Sequence, residues 1–114
     1  MRGSPAIRLT RSVLFAPGNH TRRAEKALGS DAVLAVLDLE DAVPTAEKAA
    51  ARTMIAAALK YSRKARAYVR INALSSADWE ADLETVVCPN LDGIVLPKVE
   101  TVAELRELDR KSVV

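Results

Sequence analysis

The sequence has little of several residue types, and each shortage excludes a class of protein. A single cysteine, Cys88, excludes an internal disulfide and a zinc site built of cysteines. Aromatic residues make up only 4% and the net charge is only +2, which argues against a base-stacking or strongly basic nucleic-acid surface. No apolar run approaches the roughly 20 residues that span a bilayer, and residues 13–16 are too few for the apolar part of a signal peptide. We therefore expect a cytoplasmic protein with neither a membrane nor a nucleic-acid partner.

Apolar and amphipathic segments alternate along the 114 residues. Four short apolar segments predict strands, at residues 12–16, 32–37, 67–71 and 93–96. Four stripes of helical period predict helices, near residues 21–28, 44–60, 79–87 and 101–108. The second helix carries Lys48 and Arg52 away from its apolar stripe. Such alternation predicts an α/β fold, in which a parallel sheet is connected by helical crossovers.

Two architectures are compatible with four β/α units. One is a small open, doubly wound sheet, and the other is the first half of a (β/α)8 barrel, because a whole barrel needs about 250 residues. We interpret residues 1–10 as an extension, and residues 11–114 are compatible with either architecture.

Two helix starts carry residues of the capping type. Asn19 or Thr21 is a candidate N-cap for the first helix. Ser75 and Asp78 have the spacing of a capping box before the third helix.

Polar residues follow every predicted strand, whereas the strand interiors carry almost none. Chemistry in parallel α/β folds gathers at the carboxyl ends of the strands. The segments found there are Pro17-Gly18-Asn19-His20, Asp38-Leu39-Glu40-Asp41, Arg70-Ile71-Asn72 and Pro97-Lys98-Val99-Glu100. This asymmetry predicts a site at that end of the sheet.

Strand alternation sharpens the prediction. Asp38 and Glu40 share one face of the second strand, and Arg70 and Asn72 share one face of the third. If those faces point into a barrel mouth, two carboxylates and a guanidinium converge on one cleft. An arginine there can hold a carboxylate or enolate oxygen in a bidentate grip, and carboxylates can hold a hard divalent cation directly or through water.

Structural interpretations of the same residues remain open. Asp41 can cap the following helix, and Arg70 can pair with Glu40 as a buried structural bridge. His20 is the only histidine, and a loop or capping role is expected for it rather than catalysis.

Four motifs in order resemble one known family: RSVLFAPGN at residues 11–19, LDLEDAVP at 37–44, VRIN at 69–72 and DGIVLPKVE at 92–100. They are similar to the beta subunit of citrate lyase and to the malyl-CoA and citramalyl-CoA lyases, within the HpcH/HpaI aldolase group. The resemblance implies a (β/α)8 barrel, of which residues 11–114 would form a partial domain, the first half. It also implies a magnesium ion and a CoA or acyl-carrier thioester substrate.

The resemblance also implies roles for individual residues. Arg70 would bind the substrate's oxo or carboxylate oxygens. Glu40 and Asp41 would be the acidic, catalytic pair near the water shell of the metal. Lys26 would lie on the CoA side, and Lys98 would contribute to substrate binding at the barrel mouth. His20 departs from the family pattern, in which many relatives have arginine.

The direct metal ligands of the family, a glutamate and an aspartate, follow strands five and six. The resemblance therefore places them beyond residue 114, and Glu100 is not a substitute for either. We expect a truncated chain with an incomplete magnesium site, which associates as a homo-oligomer to cover its open strand edges.

Three functional hypotheses follow from these residues and the resemblance. The first is a magnesium-dependent carbon–carbon lyase that cleaves a β-hydroxyacyl thioester of the citryl, malyl or citramalyl type by a retro-Claisen reaction. The second is a non-catalytic half barrel or CoA-binding partner subunit. The third is a metal-dependent aldolase that acts on free oxo acids.

Overall fold

The computed structural model describes residues 12–60 and 64–97. Its strands are β1 (Val13–Pro17), β2 (Leu34–Asp38), β3 (Arg66–Arg70) and β4 (Gly93–Val95). Its helices are α1 (Thr21–Leu28), α2 (Lys48–Ala58) and α3 (Trp79–Val86), and a 3-10 turn (Thr45–Glu47) precedes α2. The predicted alternation is confirmed for these elements. The extension at residues 1–10 and the helix predicted near residues 101–108 lie outside the described residues.

The four strands form one parallel sheet in the order β1-β2-β3-β4. Each strand therefore pairs with the next one in the sequence. A doubly wound sheet reverses its strand order at a switch point, and the described sheet has no such reversal. The doubly wound alternative is therefore wrong for these residues.

One face of the sheet packs against the helices and forms the core. Its members are fully or almost fully buried: Ala16, Ala35, Leu37, Leu39, Ala67, Val69 and Ile71 from the strands and the residues that follow them, with Ala24, Leu28, Ala51, Ile55, Leu59, Leu83 and Val86 from the helical side. The strand residues that alternate with them lie on the opposite face. On that face Phe15 is 62% exposed and Val13 is 46% exposed, so the described residues leave much of this face of β1 uncovered.

The first helix begins differently from the prediction. The N-cap of α1 is His20, whose side chain makes no capping hydrogen bond. Asn19 and Thr21 are therefore wrong as predicted caps. The Asn19 amide nitrogen instead donates to Glu47, which lies directly before α2.

The predicted capping box before α3 is also wrong. Asp78 is the N-cap residue, but its side chain makes no capping hydrogen bond. Asp78 Oδ1 accepts a hydrogen bond from Arg52 at 2.9 Å instead. A tertiary ion pair therefore replaces the local cap at this helix start.

Among the described residues, no helix is both long and apolar enough to cross a membrane.

Candidate functional site

An aspartate and an arginine lie side by side at the carboxyl ends of β2 and β3. The register pairs Asp38 directly with Arg70, and neighbouring residues of parallel strands project to the same side of the sheet. Arg70 Nε donates to Asp38 Oδ1 at 2.9 Å, and Arg70 Nη2 donates to Asp38 Oδ2 at 2.8 Å. The Asp38 side chain is 4% exposed and that of Arg70 is 26% exposed. This is a bidentate, largely buried pair.

Glu40 completes the acidic side of the cluster. Its Oε1 lies 3.6 Å from Arg70 Nε, a longer contact than either bond to Asp38. The predicted convergence of Asp38, Glu40 and Arg70 is therefore confirmed. The alternative in which Arg70 pairs mainly with Glu40 is wrong. The main partner of Arg70 is Asp38, which lies directly opposite it in the strand register.

The turn after β2 is organised around the same aspartate. Asp38 Oδ1 accepts the N–H of Glu40 at 2.8 Å, and Oδ2 accepts the N–H of Ala42 at 2.9 Å. The N–H of Val43 donates to Glu40 O at 3.2 Å and closes the turn. Asp38 thus binds both Arg70 and the backbone that carries Glu40.

The electrostatics of the cluster follow from these contacts. Burial alone would raise the pKa of Asp38, but the hydrogen bonds from Arg70, Glu40 and Ala42 outweigh it and hold the pKa below its ordinary value. Burial, followed by the negative charges of Asp41 and Asp38, raises the pKa of Glu40 although Arg70 opposes them. The hydrogen bond to Asp38 raises the pKa of Arg70 and keeps it charged.

Asp41 is exposed next to Glu40. It does not cap a helix, because the N-cap of the 3-10 turn is Pro44 and that of α2 is Glu47. The capping interpretation of Asp41 is therefore wrong, and its carboxylate stays at the surface beside the cluster.

Lys48 binds the turn after β2 through its side chain. It was not identified as a site residue from the sequence. Its side chain reaches back from the first residue of α2, so that Nζ donates to Leu39 O at 2.8 Å and to Glu40 O at 2.9 Å. The residue is only 9% exposed. No sequence signal marked it, because the helix was predicted to begin near residue 44 and Lys48 then falls within its first turns.

Asn72 does not join the cluster around Arg70. Its backbone N–H and its Nδ2 both donate to Asp82 Oδ2, at 2.8 and 2.7 Å. Strand β3 ends at Arg70, so the strand alternation used to place Asn72 beside Arg70 no longer applies there. Asn72 instead ties the segment after β3 to α3.

A second buried ion pair joins α2 and α3, and sequence reasoning missed it as well. Arg52 Nε donates to Asp82 Oδ1 at 2.7 Å, and Arg52 Nη2 donates to Asp78 Oδ1 at 2.9 Å. The Asp82 side chain is fully buried. Because Asp82 also binds Asn72, this network fixes the chain immediately after the strand that bears Arg70.

Lys26 lies on a different part of the surface. It is exposed on α1 and borders a hollow of about 330 Å³ together with Phe15, Arg23 and Ser30. Phe15 also lies beside the acidic cluster, since the Arg70 guanidinium carbon is 6.0 Å from its ring centroid, within cation–π range. Phe15 therefore adjoins both areas. Lys98 and Glu100 lie outside the described residues.

The described residues do not form a complete magnesium site. Within residues 12–60 and 64–97, no three His, Cys, Asp or Glu side chains come together to hold a metal ion. Both oxygens of Asp38 already accept two hydrogen bonds each. Among the described residues at this edge, only the carboxylates of Glu40 and Asp41 remain available, so a magnesium ion would need further oxygen ligands.

Comparison with known proteins gives consistent matches. Residues 11–112 match the family described as HpcH/HpaI aldolase/citrate lyase. The chain is 43% identical to a citrate lyase subunit beta-like protein of Deinococcus radiodurans, across 95% of this chain and 39% of that protein. It is 40% identical to a (3S)-malyl-CoA thioesterase of Cereibacter sphaeroides, across 83% of this chain and 34% of that protein. The chain thus spans well under half the length of these curated relatives.

Solved structures agree with these matches. The citrate lyase beta subunit of M. tuberculosis, complexed with oxaloacetate and magnesium, superposes with a TM-score of 0.72 at 36% identity, covering 88% of this chain and 45% of that one. The protein CitE of Mycobacterium tuberculosis, in complex with magnesium, acetoacetate and coenzyme A, gives a TM-score of 0.68 at 36% identity, covering 84% and 35%. Magnesium is therefore the cofactor of these structural relatives.

Proposed function

The chain belongs to the HpcH/HpaI aldolase/citrate lyase family, and on that premise we propose that it carries the oxo-acid-binding part of a magnesium-dependent carbon–carbon lyase. The substrate would be a β-hydroxyacyl thioester of the citryl, malyl or citramalyl type, cleaved by a retro-Claisen reaction. One observation supports this most directly: Arg70 is held in a bidentate pair with Asp38 at the carboxyl end of the sheet.

Arg70 is the proposed substrate-binding and catalytic group. Two of its N–H groups bind Asp38, which fixes the plane of the guanidinium. Its remaining N–H groups would donate to the carboxylate and carbonyl oxygens of the oxo acid, a geometry that a planar fork provides and an ammonium does not. As the hydroxyl proton leaves, this fixed positive charge would stabilise the negative charge on the oxygen that becomes the carbonyl of the oxo acid. The electron pair of the breaking carbon–carbon bond then passes to the enolate of the thioester, which is protonated to give the acyl thioester.

Glu40 and Asp41 are the proposed acidic pair. Burial raises the pKa of Glu40, so its carboxylate is a stronger proton acceptor than a solvated glutamate. We propose that Glu40 accepts the hydrogen bond, and then the proton, of the substrate hydroxyl. Asp41, exposed beside it, would contact the water shell of the metal. Because the described residues do not complete a magnesium site, this scheme assigns no step to the metal.

The thioester is proposed to approach along the hollow beside α1. Lys26 and Arg23 offer two positive charges there, and both suit the phosphate groups of CoA. The same role for Lys98 remains a prediction from the resemblance.

We propose that the face of the sheet opposite the helices, which is uncovered along β1, is the interior of a (β/α)8 barrel. The sequential strand order and the packing of the helices on the other face support this architecture. The isolated 114-residue chain is then expected to self-associate through this face. Sedimentation velocity would contradict this if the chain were a monomer at every concentration while melting cooperatively.

The test of the function is calorimetric titration with oxaloacetate in the presence of magnesium. Arg70→Lys keeps the charge but loses the fork, and we expect it to weaken binding at least about tenfold. Arg66→Lys is the matched control, because Arg66 is exposed at the other end of the same strand. Equal affinity in both variants would refute the role of Arg70.

A non-catalytic half barrel that only binds its ligand is the second candidate. The absence of a three-residue metal cluster among the described residues favours it. Oxaloacetate binding without release of oxo acid from malyl-CoA or citryl-CoA would support this candidate. Binding of oxo acids with no effect of CoA thioesters would support an aldolase that acts on free oxo acids.

A further inference from the structure

Lys48 is buried in a position that carries two energetic costs. An ammonium loses hydration when it is buried, which is unfavourable unless other groups compensate. Lys48 is also the first residue of α2, where the helix dipole is positive and repels a cation. A residue selected for stability alone would not be expected to place a positive charge there.

The hydrogen bonds of Lys48 show what its charge does. Nζ donates to the carbonyl oxygens of Leu39 and Glu40, which are consecutive in the chain. The N–H of Glu40, in the peptide that joins these two residues, donates to Asp38. The peptide units on both sides of the Glu40 α-carbon are therefore held, and this fixes the direction in which the Glu40 side chain leaves the backbone.

We propose that Lys48 is a positioning residue that directs the Glu40 carboxylate toward Arg70. This inference rests on the proposed function, because it gives Lys48 a purpose only if Glu40 and Arg70 act together on a substrate. Lys48 itself does not touch the substrate in this scheme. Its ammonium fixes the turn, and the turn fixes the carboxylate.

The test uses Lys48→Met, which keeps the length and apolar stem of the side chain but removes the ammonium. Amide hydrogen exchange measures the turn through Val43, whose N–H donates to Glu40 O, and measures the sheet through Val69, which is fully buried in β3. We expect Val43 to exchange at least about tenfold faster while Val69 changes less than about twofold. Oxaloacetate affinity in magnesium should fall about tenfold.

Two further variants separate positioning from general stability. Lys60→Met removes an exposed lysine just beyond the same helix, and it should change neither exchange nor affinity. Lys48→Arg keeps donors for the two carbonyls and should restore part of the protection of Val43 and part of the affinity.

Three results would overturn the proposal. A parallel loss of protection at Val43 and Val69 would show that Lys48 serves only global stability. Unchanged protection of Val43 would show that Lys48 does not fix the turn. Faster exchange at Val43 with unchanged oxaloacetate affinity would show that the turn does not position Glu40. If the unmodified chain binds no oxaloacetate, the proposed function fails, and the exchange experiment still decides whether Lys48 holds the turn.

Discussion

Replacing Asp38 with asparagine should lower the stability of the fold by about 3 kcal/mol at neutral pH. The asparagine side chain has nearly the same shape, but its NH2 group would stand where Oδ2 now accepts from Arg70 and from Ala42. Breaking a buried ion pair by removing one partner costs about 3–5 kcal/mol. The low end of this range applies because Arg70 is 26% exposed and water can reach part of its guanidinium.

Urea denaturation at several pH values is the appropriate assay. The depressed pKa of Asp38 means that its contribution is fully present above the unfolded value, for which 3.8 is the reference, and is lost as the pH falls through the lower folded value. The difference between the two proteins should therefore be constant from pH 7 to about pH 5 and should shrink below pH 3.8.

Asp31→Asn is the matched control. Asp31 also pairs with a cation, Lys64 at 3.3 Å, but both side chains are largely exposed, and such pairs contribute little. We expect no measurable change in this control. If Asp38→Asn also left the denaturation midpoint unchanged, or if its effect were the same at pH 3 and pH 7, the assignment of Asp38 as the organising residue of the site would be refuted.

Three further substitutions test other parts of the structure. Glu40→Gln should raise the melting temperature at pH 7, because the raised pKa of Glu40 means that folding disfavours its charged form. This gain in melting temperature should vanish below about pH 4.5, where the glutamate is protonated in both the folded and the unfolded state. Gly18→Ala should lower the free energy of unfolding in urea by about 1–3 kcal/mol, since a β-carbon there would lie 2.8 Å from a backbone oxygen. Gly29→Ala should cost less, because φ is −87° and its β-carbon would lie 3.3 Å from the Glu25 carbonyl oxygen. Asp82→Asn should lower the free energy of unfolding by about 3–5 kcal/mol, whereas Glu84→Gln, at an exposed position of the same helix, should change it by no more than about 0.5 kcal/mol. Similar denaturation midpoints for these two variants would contradict the buried network.

The strands and helices were largely predictable because their pattern is local. The apolar segments at residues 32–37 and 67–71 each lie within two residues of β2 and β3, and their order in the chain is their order in the sheet. The uncovered face could not be predicted in the same way. A continuous apolar run shows that a strand can be buried on both faces, but it does not show which face the described residues cover. Phe15 is the clearest example, because it lies in such a run and yet is largely exposed.

The candidate site was predictable only in part. Placing polar residues at strand ends brought Arg70 and Glu40 together. The sequence did not show that Asp38, and not Glu40, is the main partner of Arg70, because that choice depends on the register between strands. Lys48 and Asp82 were missed for another reason: charged residues on helices usually face water, and their burial depends on partners that are distant in the sequence.

The sequential strand order has a consequence for how the chain acquires its structure. Each described strand pairs only with strands that are adjacent to it in the sequence, so none depends on a strand that is synthesised much later. Asp38 and Arg70, for example, are 32 positions apart. Synthesis proceeds from the amino terminus at about 5–20 residues per second, so β2 can dock on β1, and β3 on β2, while the ribosome is still translating. The bidentate pair would then close as soon as the third strand emerges, and the arrangement that we propose for oxo-acid binding would form during translation of this segment.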